Sequence, residues 1–166
     1  MDNKNPTAAA GEGRELLRHT VATLAYRARK PLSDAPGNFS DFRAPEGART
    51  PGQLLAHLGD LIDWALSQAK GKQEWHDSPV LPWKEGVERF YKSLGAFDGY
   101  LASSAPLGET PEKIFQGAVA DSLAHIGQIA LLRQLAGAPI RGENYHKADI
   151  AAGRVGQDQP AHRREF

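Results

Sequence analysis

The chain contains no cysteine. It therefore has no disulfide, no thiolate ligand for zinc and no cysteine nucleophile, and the absence suits a reducing compartment. Net charge is also absent, because 20 lysines and arginines balance 20 aspartates and glutamates. With no basic block, the sequence predicts no nucleic-acid partner. No window approaches the roughly 18 apolar residues of a membrane-spanning helix, and the polar first residues lack the apolar stretch of a signal peptide. We therefore expect a cytoplasmic protein whose partner is not a membrane.

Apolar residues recur with the 3.6-residue period of a helix in four long segments. The segments cover about 12–30, 51–71, 82–103 and 111–136. No segment alternates with the period of two that is typical of strands. The pattern predicts an all-α protein, a four-helix bundle in a single domain of residues 1–166. The bundle core would cover about 12–137, with an extended C-terminal tail at 138–166 lying over it.

Local signals mark where these helices begin and end. Thr50 followed by Pro51 and Gln53 predicts a capping box at the start of the second helix. Thr110 followed by Pro111 predicts a similar start for the fourth helix. Pro31 is expected to stop the first helix. In the loop between the first two helices, Phe39 and Phe42 are expected to pack onto the bundle, and in the tail the apolar anchors are Tyr145, Ile150 and Val155.

Asp121 and His125 lie four residues apart in a segment that is otherwise mostly apolar or small. In a helix this spacing places both side chains on one face, one turn apart. The same face carries Ile114, Ala118, Ile129 and Leu132, so we expect it to point into the core. An ionised carboxylate in a core needs a partner, because its desolvation costs several kcal/mol or more. Either a metal ion or a cation such as Arg27 or Arg29 could be that partner.

His57 falls on the apolar stripe of the second helix, between Leu54 and Leu61. Alone it would be interpreted as a core histidine, but with Asp121 and His125 it can complete a three-ligand metal site. Two histidines and one carboxylate leave positions open for water or substrate, which is typical of catalytic sites. Such ligands suit zinc, nickel, iron or manganese, and the sequence does not distinguish among them. The sequence assigns no catalytic acid or base.

Two further residues have a weaker connection to this site. Asp60, one turn after His57, could hold the His57 ring through a hydrogen bond. The alternative for Asp60 is a solvated surface carboxylate. His146 in the tail could fold over the site as a lid or an additional ligand. The alternative is that His146 is simply a solvent-exposed side chain.

Two stretches of the sequence resemble the DinB superfamily, which includes the YfiT-like metal-dependent hydrolases. One is Thr-Pro-Gly-Gln-Leu-Leu-Ala-His-Leu-Gly-Asp at 50–60, and the other is Asp-Ser-Leu-Ala-His-Ile-Gly-Gln at 121–128. The resemblance implies His57 as the first metal ligand and His125 as the last. Asp121 stands where the family usually has a middle histidine, so the site here would be more anionic. Gln128 matches the family pattern and is expected either to support the site without binding the metal itself or to act as a packing residue.

The resemblance implies a metal-dependent enzyme that acts on a small molecule. Family members include hydrolases and transferases that use a low-molecular-weight thiol, and this chain, lacking cysteine, would take that thiol as a cosubstrate. The resemblance also implies a homodimer. The alternative is a non-catalytic bundle that binds a ligand or mediates oligomerisation, with Asp121 ion-paired. Phe39, Phe42 or Trp83 could then supply an interface.

Overall fold

The described part of the chain is built from helices. The computed structural model describes residues 6–44 and 47–166, with side chains described from residue 11 onward. Three long helices are α1 (Pro6–Leu32), α2 (Pro51–Ala69) and α3 (Trp83–Ala102). The fourth, α4, has three contiguous parts: α-helical Pro111–Ile114, π-helical Phe115–Val119 and α-helical Ala120–Leu135. Within the described ranges there is no β-strand, only an antiparallel bridge between Glu143 and Glu165. The predicted all-α class is confirmed.

The capping predictions at Thr50 and Thr110 are confirmed. The Thr50 hydroxyl accepts the Gln53 N–H at 3.3 Å, and the Gln53 side chain accepts the Thr50 N–H at 2.9 Å, so both halves of the capping box are present. The Thr110 hydroxyl accepts the Lys113 N–H at 3.4 Å. These caps fix the first turns of the two helices that carry His57 and His125, since each satisfies backbone donors that the helix leaves unpaired.

The bounds predicted for the first helix are wrong at both ends. α1 begins at Pro6, because proline suits a first turn whose N–H groups have no helical partner, and three alanines lie in the turns after it. Pro31 lies inside the last turn and does not stop the helix there. A proline at this point removes only its own N–H, and the Ser33 N–H still donates to the Arg29 carbonyl at 2.9 Å.

The four helices form a bundle in which each helix has two neighbours. α1 packs against α3 and α4, and α2 packs against α3 and α4. α1 and α2 therefore lie on one diagonal, with α3 and α4 on the other. The core between them consists of fully buried apolar side chains, the largest of which include Leu17, Leu24, Leu58, Ile62, Phe90, Leu94, Phe97, Ile114 and Ile129. No helix among the described residues has the length and apolar character required to cross a membrane.

The loop between α1 and α2 packs onto the bundle through aromatic residues, as predicted. Phe39 is 1% exposed and its ring lies 5.2 Å from the ring of Trp83, while Phe42 is partly buried against the core. The Trp83 indole N–H donates to the Leu32 carbonyl at 3.0 Å. These three aromatic residues support the fold from within, so Phe39 is not available for the interface that the sequence suggested.

The tail lies over α1 and is held there by a buried carboxylate that the sequence did not single out. Glu143 is buried and accepts the Tyr26 hydroxyl at 2.6 Å. Its other oxygen lies 2.9 Å from Nδ1 of His162 and 3.3 Å from Nζ of Lys30. The predicted tail anchors Tyr145 and Val155 also contact the bundle, Tyr145 through the Tyr26 ring at 6.4 Å.

Candidate metal centre

A π-helical turn determines where Asp121 lies. Its hydrogen bonds close from residue i to i+5, so the turn takes one more residue than an α-helical turn and shifts the faces of the helix beyond it. Beyond Ala118 the buried face continues through Ser122 and Ile126. Asp121 is consequently displaced to the flank, where its side chain is 49% exposed. The prediction that Asp121 points into the core is wrong, and the carboxylate needs no partner to offset burial.

The structure nevertheless brings His57, Asp121 and His125 together. Nε2 of His57 lies 3.8 Å from one oxygen of Asp121, and Nε2 of His125 lies 3.4 Å from the other. One ligand atom from each residue falls within 4.8 Å of the other two. Two ligands at about 2.1 Å from a tetrahedral ion stand roughly 3.4 Å apart. Two imidazoles and one carboxylate, grouped with these separations, fit a divalent transition metal.

His57 is placed in the protonation state that a metal ligand requires. Burial lowers the pKa of His57, and the charge of Arg49 and the neighbouring His125 ring lower it further, against the opposing effects of Asp121 and Asp60. The imidazole is therefore neutral at neutral pH, with a lone pair on the unprotonated nitrogen. The ring is 4.9 Å from that of His125, edge to face.

Gln128 lies beside His125, one turn further along α4. Its side-chain oxygen is 2.8 Å from Nδ1 of His125. An oxygen acceptor there requires the proton on Nδ1, which leaves the lone pair of Nε2 directed at Asp121. A partner of this type holds the ring orientation and the tautomer of many metal-binding histidines. This hydrogen-bond geometry is compatible with a role for Gln128 in orienting His125. That role stays a prediction.

The two arginines considered as counter-ions for Asp121 contact other groups. The Arg29 guanidinium donates to the carbonyls of Gln159 and Pro160, at 3.2 and 2.7 Å. That of Arg27 lies 4.3 Å from the centre of the Tyr145 ring. Both arginines therefore hold the tail, and the charged contacts of Asp121 are with the two histidines.

Asp60 neither holds the His57 ring nor is a solvated surface carboxylate, the two interpretations that the sequence offered. It is buried, and its Oδ2 accepts the Ser78 N–H at 3.0 Å. Nη2 of Arg89 lies 2.6 Å from Oδ1 of Asp60, 2.9 Å from an oxygen of Asp63 and 3.2 Å from Nε2 of His76. Asp60, Asp63 and His76 also have the spacing of a metal group. Here the guanidinium already takes the central position, so this cluster is an ion-pair network rather than a second metal centre.

Asp60 gives a prediction on acid stability. Burial raises the pKa of Asp60, but the hydrogen bonds from Ser78 and the Arg89 charge outweigh burial, so the pKa lies below its ordinary 3.8. A depressed pKa means that the charged carboxyl stabilises the fold above that ordinary value, and the contribution is lost as the pH falls through the folded-state pKa. We expect Asp60→Asn to lower the free energy of unfolding by about 3 kcal/mol at pH 7, because Arg89 loses its buried partner.

Urea unfolding at several pH values measures this effect. The difference between wild type and Asp60→Asn should narrow as the pH falls below about 3.8 and through the lower folded-state pKa, because the wild-type carboxyl becomes protonated there. Asp63→Asn is the control, since Asp63 is more exposed and shares the same arginine. A difference that is independent of pH would contradict the assigned role of the Asp60 charge.

Sequence reasoning missed three residues beside the centre: Trp75, His76 and Arg89. Trp75 and His76 stand in a polar loop without periodicity, and Arg89 stands on α3 as one charge among many. Only the folded chain shows that the Trp75 ring lies 5.5 Å from the His57 ring. His146, considered as a lid, is exposed in the 3-10 turn Tyr145–Lys147.

Comparisons with protein-family models, with curated proteins and with solved structures find no match for this chain. The resemblance to the DinB superfamily therefore stays a prediction that rests on residues 50–60 and 121–128. The site itself, with its three converging side chains, is the basis for a proposal on function.

Proposed function

We propose that this chain binds a divalent metal ion through His57, Asp121 and His125 and is a cytoplasmic enzyme acting on a small molecule. The observation that carries the proposal is the convergence of these three side chains from two helices that pack against each other. Zinc, nickel, iron and manganese all accept this ligand set. The reaction is either the transfer of a low-molecular-weight thiol or a hydrolysis, and a homodimer stays an expectation.

The residues of the chain have distinct roles in this proposal. His57 and His125 supply neutral nitrogen ligands, and Gln128 holds the orientation of the His125 ring. Asp121 supplies one negative charge and faces solvent, so the open side of the site is the side from which a substrate arrives. A bound divalent ion would act as a Lewis acid that lowers the pKa of water or of an external thiol.

A hollow beside His57 offers room for a substrate. Its volume is about 350 Å³, and it is lined by Arg49 just before α2, by Gln53 and His57 of α2, and by Asp77 and Ser78 of the loop before α3. It is open to solvent and mostly polar. A small molecule could therefore approach His57 without displacing any part of the core.

Metal analysis of protein purified without an affinity tag tests the proposal. After incubation with zinc, nickel, iron or manganese and removal of unbound ion, we expect about one ion per chain. Less than about 0.1 ion per chain with all four metals would overturn it.

A non-catalytic bundle is the second candidate, and one observation favours it. Asp121 lies within ion-pair distance of both histidines, so a protonated histidine could pair with it without any metal. Asp121→Asn separates the two functions. If Asp121 is a ligand, the variant loses metal affinity, whereas in a metal-free bundle the variant changes only stability.

A further inference from the structure

The loop between α2 and α3 is fixed to α2 on both sides of Trp75. Before it, the Glu74 N–H donates to the Ser67 hydroxyl at 3.2 Å, and that hydroxyl lies 3.3 Å from the Glu74 carbonyl. After it, the Ser78 N–H donates to Asp60 at 3.0 Å. His76, next to Trp75, lies in the Arg89 ion-pair network. Residues 74–78 therefore have a defined position although they form no helix or strand.

This anchoring places Trp75 against the candidate metal centre. The Trp75 ring lies 5.5 Å from the ring of His57 and 6.0 Å from the ring of Trp64. Trp64 in turn packs on the π-helical turn of α4, since an alanine Cβ at Gly117 would lie 3.4 Å from its ring. Trp64, Trp75 and His57 thus form a continuous surface of rings, which we call the aromatic wall.

Core packing does not account for Trp75, because 44% of this residue is exposed. Its indole N–H is already bonded to Asp77 at 3.1 Å, so the part left for a ligand is the apolar ring. Aromatic residues with exposed faces are common in small-molecule sites, where a flat apolar group gains both area and stacking. The Trp75 ring is close to any ligand held at His57, because the two ring centres are 5.5 Å apart.

We propose that Trp75 determines the substrate specificity of the centre by binding a flat apolar group, such as an aromatic ring, next to the metal-bound atom. Arg89 is a positioning residue that acts through His76 and Asp60 to hold Trp75 in place. This inference rests on the metal site of the proposed function and extends it to a substrate class.

Two hydroxamates with the same metal-binding group test the wall. Benzohydroxamate carries a phenyl ring, whereas acetohydroxamate carries only a methyl group. For zinc-loaded wild type we expect benzohydroxamate to bind about tenfold more tightly, since stacking adds to the shared chelation. Trp75→Ala should remove that preference while leaving acetohydroxamate binding and zinc content unchanged.

Two variants serve as controls. Trp75→Phe keeps an aromatic ring and should retain most of the preference. Leu131→Ala truncates an exposed apolar side chain of α4 that does not line the hollow and should retain all of it. For Arg89→Gln we expect the ratio of the two affinities to fall, with partial recovery in Arg89→Lys. If Arg89 had a purely structural role, Arg89→Gln would lower the affinities for both hydroxamates by the same factor and leave their ratio unchanged.

The outcomes distinguish the wall from the metal site. Protein that takes up no zinc and binds neither hydroxamate would overturn the metal site and the wall together. Protein that takes up zinc and binds both hydroxamates equally would overturn the wall alone. A preference for benzohydroxamate that survives in Trp75→Ala would likewise exclude Trp75 as its source.

Discussion

We expect His125→Ala to lower the affinity of the chain for zinc by more than about 100-fold. Loss of a partner that only supports a ligand typically costs 10- to 100-fold in metal affinity, and loss of a direct ligand costs more. The remaining His57 and Asp121 would have to hold the ion with two protein ligands instead of three. Competition with a chromogenic chelator measures the affinity.

His146→Ala is the matched control, because His146 is an exposed histidine outside the cluster. Its zinc affinity should equal that of wild type. Asp121→His adds a second comparison, since it keeps three ligands and introduces the histidine that the resemblance places there. It should bind zinc, whereas Asp121→Ala should bind it weakly. Equal affinities for wild type and His125→Ala would exclude His125 as a ligand.

We expect Gly108→Ala to destabilise the fold by about 3 kcal/mol or more, because overpacking against a fixed neighbour typically costs 1–3 kcal/mol and this neighbour is backbone. An alanine Cβ at 108 would lie 2.1 Å from the Cα of Gly71 and 2.2 Å from its nitrogen. The Gly108 N–H also donates to the Ala69 carbonyl at 2.8 Å, so the two segments cannot separate without losing a bond. This contact joins the end of α2 to the segment that leads into α4.

Urea unfolding of Gly108→Ala and Gly95→Ala together gives the measurement and its control. Gly95 lies on α3 with no atom within 4 Å of a built Cβ. Its replacement should stabilise the protein by up to about 1 kcal/mol, the difference in helix propensity between alanine and glycine. If the two variants had the same stability, the close approach of Gly71 and Gly108 would not be a feature of the folded protein.

The sequence was sufficient for those parts of the fold that depend on local interactions. The capping box at Thr50 and the cap at Thr110 involve residues three apart, and the apolar periods identify the buried faces of α2 and α3. The placement of His57 and His125 on facing helices results from these local features. The proximity of the two histidines to Asp121 could therefore be proposed from residue spacing alone.

The orientation of the Asp121 side chain could not be predicted from the sequence, because it depends on the π-helical turn at Phe115–Val119. No strong local sequence pattern indicates the π-helical turn or the one-residue shift that it introduces. A regular α-helical period of 3.6 residues therefore placed the Asp121 side chain in the core. The partners of Asp60 and Glu143 are likewise far away in sequence: Arg89 is 29 residues from Asp60, and Tyr26 is 117 from Glu143. Pairings of this kind are determined by tertiary packing, so no local pattern could indicate them.

The most direct test of the metal centre is the anomalous-scattering map of crystals grown from zinc-loaded protein. We predict one peak at about 2.0–2.2 Å from a nitrogen of His57, an oxygen of Asp121 and a nitrogen of His125. A peak among Asp60, Asp63 and His76, or ordered side chains of His57, Asp121 and His125 with no peak between them, would contradict this assignment.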